Sequence, residues 1–220
     1  MSAAFIVIPI AIVKYFGMDK KDLSGIYSVA TVFGFIAMGI GGAIGETKRI
    51  TKQILVIGVS LFVVCYGLFA LSLGHKPLFY AGVIIFFIGF NLHEPILQSM
   101  ASKFSKVSQK GAVLGIFNAF GYMGSFIGGI GGGALLKFYG LSALSAVVTV
   151  LCVAWLVVLK WLDNPNIFKN IYLPSSANAD MATLEMQKGV VECYKTAQNL
   201  VVKYNSKLTD EAAIKRIIGI

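Results

Sequence analysis

The stretch FIGFNLHEPILQS, residues 87–99, sets polar side chains inside a run that is otherwise almost purely apolar. The residues that interrupt the run are Asn91, His93, Glu94, Pro95 and Gln98. Asn91, Glu94 and Gln98 follow one another at intervals of three and four residues, which places them on one face of a helix. A carboxylate on a face turned to lipid would cost about 3 kcal/mol. The pattern therefore predicts a helix whose polar face is turned toward protein or toward a water-filled cavity.

The composition shows why lipid has to be considered. Charged residues make up 13% of the chain and hydrophobic residues 57%, whereas about a quarter of a soluble domain is charged. So few charges cannot cover a surface in contact with water, and lipid must be part of the solvent. The net charge of +9 is then typical of lysines and arginines kept on the cytoplasmic side of a membrane. We expect no nucleic-acid partner, because no motif that reads DNA or RNA accompanies this charge.

Five stretches are long enough to cross a bilayer, which takes about 20 apolar residues. They lie at roughly 23–45, 51–73, 77–100, 111–138 and 141–162. Residues 1–16 form a shorter apolar segment that spans only about 22 Å as a helix, less than the hydrocarbon core of a bilayer. This segment predicts a truncated first helix, and we expect the chain to begin inside a helix of a larger protein.

The loops between these stretches predict an orientation. ETKRITKQ (residues 46–53) and SKFSKVSQK (residues 102–110) hold three basic residues each, while the loops that alternate with them hold one each, Lys76 and Lys137. The positive-inside rule places the first pair in the cytoplasm, although KYFGMDKKDL (residues 14–23) carries three lysines on the opposite side. We expect a multi-pass protein of the inner (cytoplasmic) membrane with a cytoplasmic C-terminal domain.

The sequence becomes that of a soluble domain after DNPN, residues 163–166, which we interpret as a linker. Within residues 167–220, the runs IFKNIYL, VVECYKT and NLVVKYN are typical of strands, and ADMATLEMQ and TDEAAIKRIIG of helices, the latter with Thr209 as its N-cap. The order β-α-β-β-α predicts a split βαβ arrangement without its last strand. The first β-α loop, LPSSANAD (residues 173–180), has no Cys or His, so we expect no soft metal and no cofactor.

The stretch FNLHEPILQSMASKFSKVSQKGAVLGIFNAFGYMGSFIGGIGGG, residues 90–133, resembles the tenth and eleventh helices of a major facilitator superfamily transporter. The pattern Lys110-Gly111-x-x-x-Gly115-x-x-Asn118 and the glycine-rich helix after it carry the likeness. GETKRITKQ, residues 45–53, resembles the second, degenerate copy of the family's motif A, without the central Gly-Arg at Arg49-Ile50. With its small C-terminal domain, the chain is similar to the second half of the YajR-type branch. The resemblance implies a twelve-helix fold with alternating access, proton-driven efflux and a missing N-terminal half-transporter.

The polar face of residues 77–100 is the candidate pathway for a proton or a substrate. Glu94 is the candidate proton carrier, Asn91 and Gln98 share its face, and Asn118 lies at a similar depth on the next helix, within reach of Glu94. The alternative is a structural carboxylate bonded to basic loop residues. His93 points away from this face, where a bond to a neighbouring helix is its more ordinary role.

Two further groups are candidates for a role in motion or packing. The first is a conformational motif near the cytoplasmic ends, which either pairs with a neighbouring helix end and opens in each cycle or simply anchors the chain: Gly45, Glu46, Lys48, Arg49, Lys52, Lys110 and Gly111. The second is a series of small residues that lets helices approach closely: Gly121, Gly124, Gly128 and Gly132.

Taken together, the sequence predicts an all-α polytopic membrane protein, the six-helix half of a major facilitator fold with a truncated first helix, followed by a small α+β ferredoxin-like domain. We expect membrane transport of small molecules, with the lipid bilayer, a substrate and protons as partners. No catalytic constellation is present, which predicts that the chain is not an enzyme. Two alternatives stay open: a membrane-anchored regulatory or sensor protein that acts through the C-terminal domain, and a fragment that transports nothing unless it is paired with another half.

Overall fold

The computed structural model describes residues 2–174 and 181–218. Its first part is helical, with α1 at Ser2–Phe16, α2 at Lys20–Thr47, α3 at Thr51–Leu71, α4 at Lys76–Phe104 and α5 at Lys110–Trp161. Of the described helices, α2 to α5 are long and apolar enough to cross a membrane, and α1 is a shorter apolar helix.

The helix α5 bends at one residue. Gly140 has φ +82° and ψ −179°, a backbone conformation that side-chain-bearing residues rarely adopt, and α5 continues on either side of it. We call residues 110–139 the first limb of α5 and residues 141–161 its second limb. The stretches expected at 111–138 and 141–162 correspond to these two limbs, so the turn between them takes a single glycine instead of a loop.

The helices pack around α3 and α4. The helix α4 lies against α2 and α3, while α5 lies against α1 and α3. The apolar helix α3 is exposed on one side only, for example at Ile57 and Val64. Its other side packs on α4 and on the second limb of α5, where Leu55 and Leu159 are fully buried. By contrast, much of the first limb of α5 is exposed, including Phe120 and Phe126.

Glycines allow a close crossing of α3 and α4. Gly58 of α3 and Gly89 of α4 face each other, so that a Cβ added at Gly89 would lie 3.0 Å from the carbonyl oxygen of Gly58. Glycine at both positions lets the two backbones meet directly. At Gly121 and Gly124, two of the four glycines expected to allow close helix packing, an added Cβ would meet no atom within 4 Å.

The C-terminal domain is a small antiparallel sheet with two short helices. Its elements are β1 at Phe168–Pro174, α6 at Met181–Met186, β2 at Val190–Lys195, β3 at Asn199–Asn205 and α7 at Glu211–Ile218. The strand order is β1-β3-β2, which places β3 in the centre as in a split βαβ arrangement. Leu200, Val202 and Ile214 form a fully buried core.

Two local expectations for this domain can be compared with the structure. Asp210, rather than Thr209, caps α7, because its carboxylate accepts a hydrogen bond from the backbone N–H of Ala213 at 2.6 Å. The carboxylate also lies in the first turn, where negative charge is favourable. The loop LPSSANAD was predicted to bind no metal; its residues 175–180 are not among the residues that the structure describes.

Candidate functional site

A cavity of about 610 Å³ lies between α4 and the first limb of α5, with one side chain from α1. Aromatic rings form much of its wall: Phe5, Phe90, Phe117, Phe120 and Tyr122. Its polar lining includes Glu94, Gln98, Asn118 and Ser125. The cavity therefore combines a broad aromatic surface with one carboxylate and two amides, which suits an organic molecule that carries a polar or positive group.

Glu94 is the acidic side chain of this cavity, and it is half-buried. Within the described residues its carboxylate forms no ion pair and no hydrogen bond, so the expected bonds to basic loop residues are not observed. Gln98 lies one helical turn further along α4, on the same side. Asn118 lines the cavity from the first limb of α5, but no hydrogen bond joins it to Glu94.

Asn91 is separated from this group. Its amide nitrogen donates a hydrogen bond to the carbonyl of Phe87 at 2.9 Å, and its side chain lies against Gly34 of α2. It lines a smaller cavity of about 150 Å³ together with Glu46 and Pro95. An interval of three residues rotates a helix by about 300°, so Asn91 lies to one side of Glu94. The Asn91 side chain fits into the space beside Gly34 of α2.

His93 was not among the residues predicted for the pathway, yet it forms part of the wall of the 610 Å³ cavity. It is 1% exposed, its ring meets the ring of Phe62 edge to face at 5.7 Å, and neither ring nitrogen has a hydrogen-bond partner among the described residues. The side chain lies between the 610 Å³ cavity and a second, largely apolar cavity of about 470 Å³ enclosed by α3, α4 and both limbs of α5. The sequence suggested a bond to a neighbouring helix, but among the described residues the ring has none and instead packs on Phe62 of α3.

The basic cluster at the ends of the helices is connected by polar contacts. Glu46 at the end of α2 pairs with Lys103 at the end of α4, with 2.5 Å between nitrogen and oxygen. Lys52 at the start of α3 donates to the carbonyl of Lys160 at the end of α5, at 3.0 Å. Because each contact joins different helices, this cluster can hold the helix ends together.

The other members of the proposed conformational motif have simpler surroundings. Gly45 is buried beside Ile54 and Ile96, while Lys48 ends α2 and is exposed. Arg49 has φ +56°, an uncommon conformation for a residue with a side chain, in the tight turn between α2 and α3. Lys110 opens α5, and Gly111 beside it has no atom within 4 Å of an added Cβ.

The glycine series on α5 lines cavities in this structure. Gly121 and Gly124 form part of the wall of the 610 Å³ cavity, and Gly128 and Gly132 part of the wall of the 470 Å³ cavity. Because glycine has no side chain, the series leaves room in front of the polar residues of α4. Among the described residues there is no group of three or more His, Cys, Asp or Glu side chains that could hold a metal ion.

Comparison with known proteins identifies the family. The family model of the Major Facilitator Superfamily matches residues 1–187. A protein described as an uncharacterized transporter, from Buchnera aphidicola subsp. Baizongia pistaciae (strain Bp), is 32% identical over 136 residues, which are 61% of this chain and 34% of that protein. The inner membrane transport protein YajR of Escherichia coli (strain K12) is 28% identical over 180 residues, which are 79% of this chain and 40% of that protein.

The chain spans between a third and two-fifths of the length of these curated relatives. The match to the family model nevertheless covers most of the residues and all of the long apolar helices. Within the part of the chain that the structure describes, four helices are able to cross a membrane and a small antiparallel sheet follows them, which is consistent with two relatives named as transporters. The chain is a multi-pass membrane protein, and it belongs to the Major Facilitator Superfamily.

Proposed function

We propose that this chain is the C-terminal, six-helix half of a secondary active transporter that exports small molecules by alternating access in exchange for protons. The 610 Å³ cavity between α4 and the first limb of α5 is its share of the transport pathway. The proposal places the protein in the inner (cytoplasmic) membrane, with the C-terminal domain in the cytoplasm. An N-terminal half-transporter supplies the opposite wall of the cavity.

The observation that supports this proposal most strongly is the state of Glu94. An intramembrane carboxylate is costly and is retained where it faces a cavity or serves a proton pathway. Here the carboxylate lines an open cavity and has no charged partner among the described residues. Such a group is free to exchange a proton with water, or to pair with a cationic substrate, as the cavity opens to one side and then to the other.

The ion pair between Glu46 and Lys103 provides the conformational part of the mechanism. It joins the end of α2 to the end of α4, so it must adjust when these two helix ends move apart. At 62% side-chain exposure for Glu46, such a pair contributes less than about 1 kcal/mol. A contact of this strength can bias one arrangement of the helices without preventing its opening.

The proposal is tested by replacing Glu94 in a full-length transporter that contains this chain. The assay measures the uptake of ethidium into inverted membrane vesicles, driven by an imposed pH gradient. Ethidium is an aromatic cation, chosen because aromatic rings and one carboxylate line the cavity. Glu94→Gln, which keeps the shape of the side chain, is expected to abolish uptake driven by the gradient and to leave the amount of protein in the membrane unchanged. The control is Glu211→Gln, an exposed carboxylate on α7, which is expected to transport normally.

Retained gradient-driven uptake by Glu94→Gln would show that the carboxylate has no role in coupling. Because ethidium need not be a substrate, the assay is read only if the unaltered transporter moves it. Otherwise the same pair of variants is compared by the growth of cells on a panel of toxic organic cations.

A further inference from the structure

The C-terminal domain contacts the membrane helices through two charged residues that are almost fully buried. Glu192 of β2 and Lys203 of β3 are 6% and 7% exposed. They are paired across the neighbouring strands, with 4.0 Å between the lysine nitrogen and a carboxylate oxygen. Burial lowers the pKa of Lys203, while the negative charge of Glu192 acts in the opposite direction. Two ionisable groups in such a position need partners that compensate for the loss of water.

These partners are backbone groups of the α4–α5 turn, residues 105–109. Lys203 donates a hydrogen bond to the carbonyl of Ser105 at 2.5 Å. The N–H of Val107 donates to both carboxylate oxygens of Glu192 at 2.8 Å. The sheet thus presents a cation to a carbonyl where α4 ends, and an anion to an amide two residues later. Charge-assisted hydrogen bonds of this kind are stronger than those between neutral groups.

The linker attaches the same domain to a second turn. Asn164 donates to the carbonyl of Arg49 at 3.1 Å, and Asn166 donates to the hydroxyl of Thr51 at 3.3 Å. Both acceptors lie at the turn between α2 and α3. The domain and its linker therefore connect the α2–α3 turn to the α4–α5 turn, the two loops that carry most of the basic residues between the helices.

The chemistry of the contact indicates that it can open. Separating an apolar interface would expose apolar surface to water, which is unfavourable. Here, water can replace the two backbone groups around Glu192 and Lys203, because both side chains are charged and well hydrated when exposed. The contact is specific in geometry, since each charge matches a backbone group of opposite polarity. Its apolar part includes the edge-to-face pair of Phe104 on α4 and Phe168 on β1, with ring centroids 5.5 Å apart.

We propose that the C-terminal domain is a reversible clamp on the α4–α5 turn, formed by Glu192 and Lys203 with the backbone of Ser105 and Val107. When closed, the clamp fixes this turn to the α2–α3 turn and restrains the ends of α4 and α5. When open, it frees the two helices that line the 610 Å³ cavity. The effect on transport rests on the proposed function, whereas the clamp itself can be tested without any substrate.

The first test measures hydrogen exchange of the whole chain in lipid nanodiscs. Lys203→Met and Glu192→Gln are expected to speed amide exchange in residues 105–110 by about tenfold or more, as loss of a charge-assisted hydrogen bond implies. Lys195→Met, an exposed lysine of the same sheet, is the matched control and is expected to leave this exchange unchanged. Exchange in the turn that is equal for Lys203→Met and Lys195→Met would overturn the proposal.

The second test alters the turn and leaves the domain untouched. Val107→Pro removes the N–H that Glu192 accepts. The substitution is compatible with the backbone, because Lys106 before it is extended at ψ 151° and Val107 begins a short 3-10 turn, Val107–Gln109. Val107→Ala, which keeps the N–H, is the control. The readout is alkylation of Cys193, a buried thiol that lines a small pocket beside Val107.

The clamp predicts faster alkylation of Cys193 in Val107→Pro than in Val107→Ala, while equal rates would contradict it. A charge exchange, Glu192→Lys combined with Lys203→Glu, separates the clamp from a simple ion pair. It restores the pair but presents each backbone group with the wrong charge, so exchange in the turn is expected to stay fast. Recovery to the rate of the unaltered chain would mean that the ion pair alone matters and would refute the clamp.

Discussion

Replacing Gly89 with alanine is expected to weaken the packing of α3 on α4, the helix that carries Glu94 and Gln98. An added Cβ at Gly89 would lie 3.0 Å from the carbonyl oxygen of Gly58 and 3.1 Å from the Cβ of Leu61. Neither neighbour is the flexible end of a side chain, so the helices must separate by a few tenths of an ångström. Gly58→Ala is expected to have a smaller effect, because its Cβ would lie 3.3 Å from the carbonyl oxygen of Gly89.

Two opposing contributions set the magnitude. Overpacking of this kind costs about 1–3 kcal/mol, whereas alanine in place of glycine gains up to about 1 kcal/mol within a helix. Gly67→Ala measures the second contribution alone, because Gly67 lies on α3 with no atom within 4 Å of an added Cβ. Relative to Gly67→Ala, Gly89→Ala is therefore expected to melt about 2–12 °C lower, at about 2–4 °C per kcal/mol for a chain of this size.

The assay is thermal unfolding of the three variants in one detergent, followed by tryptophan fluorescence. The expected order of melting temperatures, from highest to lowest, is Gly67→Ala, Gly58→Ala and Gly89→Ala. A melting temperature for Gly89→Ala equal to or above that of Gly67→Ala would show that the two backbones do not meet at this crossing.

Three more predictions concern the polar ends of the helices and the C-terminal domain. Burial and two neighbouring carboxylates raise the pKa of Cys193 to about 11. Its labelling by iodoacetamide in the folded chain, followed by mass spectrometry, should therefore keep rising about tenfold per pH unit beyond pH 9, where labelling of an ordinary thiol of pKa about 8.5 levels off. A plateau of Cys193 labelling near pH 9 would contradict this. Leu200→Ala, at a fully buried position, should destabilise the C-terminal domain by about 2–5 kcal/mol, and hydrogen exchange should then rise in its strands and in α6 and α7, but not in α1 to α5. Glu46→Gln, which breaks the exposed pair with Lys103, should change the free energy of unfolding by less than about 1 kcal/mol; a larger loss in a denaturation experiment would mean that the pair is structural.

The long apolar helices and the small sheet could be predicted from the sequence because their signals are local. Length and hydrophobicity define a membrane-spanning stretch, and short β-rich runs between turn residues define strands. The sequence placed a break between residues 138 and 141, but it did not show that one residue, Gly140, makes the whole turn. Glycine occurs at 24 positions in this chain, and only the direction of the two limbs of α5 decides which of them bends.

The candidate site was predictable in part. The helical period alone places Glu94 and Gln98 on one side of α4, and both line the cavity together with Asn118. The same period admitted Asn91, which instead packs against α2 because Gly34 leaves room for it there. The surroundings of His93 were equally unpredictable. They are formed by Gly58 and Phe62 of α3, and the sequence of α4 alone does not indicate which residues of another helix it contacts.

The contact between the C-terminal domain and the helices was not predicted at all. Lys203 and Ser105 are 98 residues apart in sequence, and the strand pattern around Lys203 is that of an ordinary half-buried strand. The one local signal was the pairing of an acid on β2 with a base on β3. Such pairs also occur on exposed sheets, so burial of the pair required the position of the whole domain.

The most direct test of the account is whether water reaches Gln98 and Asn118 from one side of the membrane. Gln98→Cys and Asn118→Cys are made separately in a full-length transporter without its native cysteines and are treated with a membrane-impermeant thiol reagent. Ile57→Cys serves as the control, because Ile57 is an exposed residue on the outer face of α3. If the cavity is a transport pathway, Gln98→Cys and Asn118→Cys both react, Ile57→Cys does not, and a transported substrate protects the first two. If, with no substrate present, Gln98→Cys and Asn118→Cys react as slowly as Ile57→Cys, a transport pathway between α4 and α5 is contradicted.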